Sequence, residues 1–98
     1  MINVEKIVNI YNFFNGLEYV DDVILKAEKN NKKTLFVVLV KGKYDDNIMD
    51  ELLDKELEFI EKNNDINLNF IFLFLEADLD LNKLYTDLSK MKIDEFVG

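Results

Sequence analysis

The chain has no cysteine, no histidine, no arginine and no proline. Each absence removes a class of chemistry. Without cysteine there is no disulfide and no thiolate nucleophile or ligand. Without histidine the commonest general base near neutral pH and the commonest transition-metal ligand are both gone. All twelve basic residues are lysine, so no bidentate guanidinium fork is present to grip phosphate or carboxylate, and no arginine finger. That weighs against phosphoryl transfer and against direct nucleic-acid binding. No Gly/Ser linker, internal repeat or low-complexity tract interrupts the sequence. No apolar run approaches the length of a membrane span, and the first residues carry no signal-peptide pattern, so a soluble, cytoplasmic protein is expected.

What remains is an acidic chain of 98 residues, 49% of them hydrophobic, which is enough for one domain over residues 1–98 with one modest core. The net charge of −8 is uneven. Residues 1–44 carry seven lysines against five acids, and residues 45–98 carry five lysines against fifteen. Such an acidic half repels nucleic acid and anionic membrane and attracts a basic protein surface. The plainer reading is a solvated helix face that maintains solubility.

The chain is organised around two apolar runs and the helical stretch between them. Leu35 to Val40 is consecutively apolar and rich in β-branched residues, the pattern of a strand covered on both faces. In Asn67 to Leu75, Leu68, Phe70, Phe72 and Phe74 point one way and Ile71, Leu73 and Leu75 the other, which predicts a central strand. Between them, Asp45 or Asp46 can cap a helix that runs to about Lys62 and stops at Asn63-Asn64-Asp65. Ile48, Met49, Leu52, Leu53, Phe59 and Ile60 share one face of that helix, and Asp50, Glu51, Asp54, Glu58 and Glu61 share the other. A strand, a crossover helix and a strand (34–41, 46–62, 67–75) predict a right-handed β-α-β unit in an α/β domain, with α+β as the alternative class.

A helix is expected over residues 2–15, with Val4, Ile7, Val8, Tyr11 and Phe14 on its buried face and Gly16 as its stop. Residues 17–31 read two ways. Val20, Val23, Ile24 and Ala27 recur at helical spacing, and Asp22 stands four residues before Lys26, which favours a helix. The alternative is a strand turned back through residues 29–32 into the strand at Thr34. Two parallel strands alone make a poor sheet, which supports that alternative. The element order is therefore α-α-β-α-β-α or α-β-β-α-β-α. The last helix spans about residues 81–91, and an apolar tail at Ile93, Phe96 and Val97 is expected to dock.

Three clusters are candidates for function. Asp45 and Asp46 follow one parallel strand and Glu76, Asp78 and Asp80 follow the other, at the sheet end where open α/β folds place ligands. Carboxylates gathered there can bind Mg²⁺ and support phosphoryl chemistry, the enzymatic alternative. Glu56 falls near the centre of the apolar arc of the long helix, where a carboxylate must be paired, protonated or in contact with a partner; Lys41 is one candidate ion-pair partner. Lys26, Lys29, Lys32 and Lys33 form a small basic patch.

Two family resemblances attach to these pieces. Leu39-Val40-Lys41-Gly42, followed by Asp45, resembles the strand-end motif of Toprim domains, and Glu76-Ala77-Asp78 looks like a weakened form of their second acidic motif. That resemblance implies a Mg²⁺-dependent nuclease- or primase-like site. Lys41, however, stands where the family has its catalytic glutamate, and one helix separates motifs that the family spaces further apart. The order helix, strand, strand, helix, strand, helix is similar to that of small nucleotidyltransferase-like domains. Their Gly-Ser motif is missing, and Thr34-Leu35-Phe36 stands in the place of their paired aspartates, so the likeness implies a fold without the transferase activity.

With so few groups to run acid–base or nucleophilic chemistry, the reading favoured by the sequence is a non-catalytic protein-binding domain without a cofactor, of inhibitor, immunity or regulatory type. It would act through Asp50, Glu51, Asp54, Glu58 and Glu61 on a basic partner. A structural homodimer with residues 67–75 or the tail at its interface is the third reading.

Overall fold

The computed structural model describes residues 4–28, 33–76, 83 and 86. The elements are α1 (Val4–Asn15), β1 (Val20–Glu28), β2 (Lys33–Val40), α2 (Asp46–Lys62) and β3 (Asn67–Phe74). They form a small α+β protein: one mixed three-stranded sheet in the order β1-β2-β3, with two helices. β1 runs antiparallel to β2, and β3 runs parallel to β2. Among the described residues no helix is long and apolar enough to cross a membrane.

The favoured helix over residues 17–31 is corrected: Val20–Glu28 is a strand. The physical reason is a bulge. The register steps from Val20↔Val40 to Asp22↔Leu39, so one extra residue is inserted around Asp21. Val20 and Val23 would face opposite sides of a regular strand. The bulge turns both into the same core cluster and thereby imitates helical spacing. The Asp22 carboxylate accepts the Val23 N–H at 2.8 Å within the irregular segment. Pairing with β2 outweighs the local periodicity, because it satisfies the backbone of a strand whose Leu35 to Val40 are all buried.

β2 is the middle strand. The expectation that residues 67–75 are central is corrected in turn: among the described residues β3 has one strand neighbour. Register pairs Phe36 with Phe70, Val38 with Phe72 and Val40 with Phe74 on one sheet face, and Val37 with Ile71 and Leu39 with Leu73 on the other. Both helices pack on the first face, where Ile7, Ile10, Phe14 and Leu52 join the strand side chains. Phe14 lies at the centre of this core, its ring 5.5 Å from that of Phe70 and 5.8 Å from that of Phe59. Phe36 stacks on Phe70 at 5.2 Å. Leu35, Val37 and Leu39 are buried on the second face with Ile24, Ile71 and Leu73.

α1 is rotated relative to the expected face. Val4 is 68% and Val8 44% exposed, while Ile7, Ile10 and Phe14 are buried. Phe13 draws the rotation: its ring meets Phe59 of α2 edge-on at 5.4 Å, and the Lys55 ammonium lies 5.3 Å from its centre. The helix therefore packs sideways on α2 as well as down on the sheet. Helix α2 starts where the sequence indicates. Asp45 is its N-cap, accepting from the N–H of Asn47 at 2.8 Å and of Ile48 at 3.2 Å. Asn63 closes it, its Nδ2 and backbone N–H both donating to the Phe59 carbonyl. Before the helix, Gly42 takes a φ of +82° that a side chain would resist. Of the expected helix over 81–91, Lys83 and Thr86 are described and both are helical; the rest of it and the expected docked tail lie outside the described residues.

Candidate interaction surface on helix α2

Helix α2 carries seven acids against two lysines, so its charge distribution turns on where those lysines go. Both go to Glu58: Lys62 donates to Oε1 at 2.7 Å and Lys55 to Oε2 at 3.1 Å. The hydrogen bond from Lys62, then that from Lys55, hold the Glu58 carboxyl below its ordinary range. Glu51 accepts from the Tyr19 hydroxyl at 3.1 Å. Burial, then that same hydrogen bond, raise the Tyr19 pKa. Of the five acids expected to meet a partner, Asp50, Asp54 and Glu61 are exposed and make no hydrogen bond or ion pair among the described residues, whereas Glu51 and Glu58 are engaged. Beside them, a cleft of about 210 Å³ between α1 and α2 is lined by Phe13, Leu17, Leu52, Tyr19, Glu51 and Asp54.

The same helix bears an apolar flank that faces no core among the described residues. Leu53 is 40%, Leu57 59% and Ile60 38% exposed. Leu53 and Ile60 belong to the face expected to be buried; the buried side is instead set by Leu52, with Ile48 and Phe59 packed beside it. Leu57 did not stand out in the sequence, because it falls among acids; its signal is the spacing of four and three residues that joins it to Leu53 and Ile60. Glu56 lies between the core side and this flank. It is half-buried and has no partner among the described residues, and burial raises its pKa. The expected pair with Lys41 is not formed: the Lys41 ammonium donates to the Glu18 carbonyl at 3.2 Å.

Of the acids after the strands, the described ones, Asp45, Asp46 and Glu76, each meet a different neighbour. The Asp45 carboxylate caps α2, and the Asp46 carboxylate beside the Tyr44 hydroxyl is the main reason the Tyr44 pKa is raised. Glu76 pairs with Lys43 at 3.7 Å. Asp78 and Asp80 lie outside the described residues. Among the described residues no group of three or more carboxylates is positioned to hold a metal. The strand end is a shallow cleft of about 320 Å³ in which the Tyr44 and Phe74 rings lie 5.1 Å apart. Of the basic patch, Lys26 and Lys33 are each engaged, and Lys29 and Lys32 lie outside the described residues.

No protein-family model, no curated protein and no solved structure matches this chain.

Proposed function

We propose that this is a non-catalytic binding domain that acts on a basic protein partner through the acidic face of α2, in the manner of an inhibitor, immunity or regulatory protein. One observation carries the reading. Asp50, Asp54 and Glu61 are exposed and unpaired among the described residues, while both lysines of the helix are held by Glu58. The resulting negative potential is uncompensated locally and steers a cationic surface toward the helix. The accompanying fold reading is a right-handed connection from β2 through α2 to β3.

The test is a titration of ¹⁵N-labelled protein with a lysine-rich peptide at low and at high salt. Saturable amide shifts on residues 50–61, weakened by salt and abolished in the Asp50→Lys/Asp54→Lys/Glu61→Lys variant, are the expected result. Binding that survives the triple reversal sinks the reading. A homodimer through β3 is the second reading, favoured by the single strand neighbour of β3 among the described residues. A solution mass of twice the chain that persists at high salt would establish it in place of the first.

A further inference from the structure

We infer that α2 carries a short helix-packing seam, Leu53, Leu57 and Ile60, shaped for a lysine- or arginine-flanked amphipathic helix of a partner protein and not for a second copy of this chain. The inference rests on the acidic-face reading above and specifies the form the partner takes.

Leu53, Leu57 and Ile60 follow one another at intervals of four and three residues. That is the spacing at which one helix presents a continuous apolar line to another. All three are exposed at between 38% and 59%, although α2 already buries Leu52 against the sheet. The helix therefore has two apolar lines, one in the core and one on its outer flank.

The positions bordering the outer line decide what can cover it. In a paired helix these border positions meet those of the neighbour and set partner choice. Here Asp54 and Glu61 lie on one border and Glu56 on the other, with Asp50 continuing the line toward the helix start. No lysine stands among them: Lys55 and Lys62 fall elsewhere on the helix and are bonded to Glu58. Two copies packed seam to seam would place carboxylate against carboxylate on both borders, in a chain already at −8. Like charges across such a seam disfavour the self-pair and favour a cationic partner. Glu56 sharpens the choice. It is half-buried and lacks a partner among the described residues, so a cation arriving beside it would supply the missing counter-charge. An extended cationic segment would have no use for the four-three spacing, whereas a helix with leucines along one line and lysines on both sides matches apolar line and charged borders together.

The probes are three synthetic peptides: one of three heptads with leucine along the seam and lysine on its borders, the same peptide with glutamate on its borders, and a scramble of the lysine peptide. The lysine-bordered peptide is expected to bind saturably and shift the amides of residues 50–61. The glutamate-bordered peptide should not bind, and Leu57→Ser should weaken the lysine-bordered complex by about tenfold. Leu57 is exposed, so that variant keeps the fold. The Glu56→Lys/Glu61→Lys variant should transfer preference to the glutamate-bordered peptide, a gain that misfolding cannot imitate. If the scramble binds as well and Leu57→Ser has no effect, the seam is refuted while the acidic-face reading stands. If neither lysine peptide binds, both fall. If the protein alone dimerises and Leu57→Ser abolishes the dimer, the occupant is a second copy and the inference is overturned.

Discussion

Thr34 offers the sharpest test of the packing. It opens the buried run of β2, is fully enclosed, and its Oγ1 has no hydrogen-bond partner among the described residues. A buried hydroxyl left unsatisfied costs about 1–3 kcal/mol. Thr34→Val replaces that oxygen with a methyl group of similar shape and keeps the β-branched form that suits a strand. The expected gain is therefore about 1–2 kcal/mol. For a domain of this size each kcal/mol moves the midpoint of thermal unfolding by roughly 4–8 °C, so the shift is large enough to read by circular dichroism without ambiguity. Thr34→Ser supplies the control: it keeps the hydroxyl, removes one buried methyl and should lose roughly 1 kcal/mol. Urea titrations of the three proteins, fitted with a common slope, give the ranking Val above Thr above Ser. If Thr34→Val proves neutral or destabilising while Thr34→Ser is tolerated, the hydroxyl is satisfied after all and the packing described around β2 is wrong at that point.

Two further outcomes follow from the helix. Glu56 is raised in the folded state by burial, so its charged form opposes folding above that raised pKa and ceases to do so as pH falls below the unfolded value. Glu56→Gln should accordingly be more stable than the parent at pH 7, with the difference shrinking through the carboxylate range; a difference independent of pH would contradict the burial. Asp45 supplies the N-cap oxygen to Asn47 and Ile48, so Asp45→Ala should cost about 1 kcal/mol in urea unfolding, and Asp45→Asn should restore most of it.

β2, β3 and α2 were legible because each carries one clear signal. Leu35 to Val40 is unbroken, the Phe70-Phe72-Phe74 line alternates cleanly, and α2 is bounded by Asp45 and Asn63. β1 was legible only as the second choice, a strand turned back into β2, because a bulge at Asp21 is a tertiary feature that writes a false helical period into the sequence. The exposed Val4 and Val8 were misplaced for a related reason: Phe13 turns α1 toward Phe59, and no helical wheel contains that neighbour. The acids of α2 could be assigned to one face from spacing. Which of them are free depends on lysine rotamers, and these drew both cations to Glu58. Leu57 was hidden by its acidic surroundings until its exposure beside Leu53 and Ile60 became visible.

The two flanks of the sheet differ in how they tolerate exposure. β1 carries Asp21, Asp22 and Lys26 and is bent by its bulge, which are the devices that keep a strand from templating another. From Asn67 to Leu75 there is no charge and no proline. A window such as Phe70 to Leu75, with high strand propensity and nothing to interrupt stacking, is the composition of a fibril-forming segment. Its charged flanks are Asp65 before it and Glu76 directly after it, the latter paired with Lys43. The half of the chain that completes the core is thus also the half that would seed aggregation first when the fold is weakened.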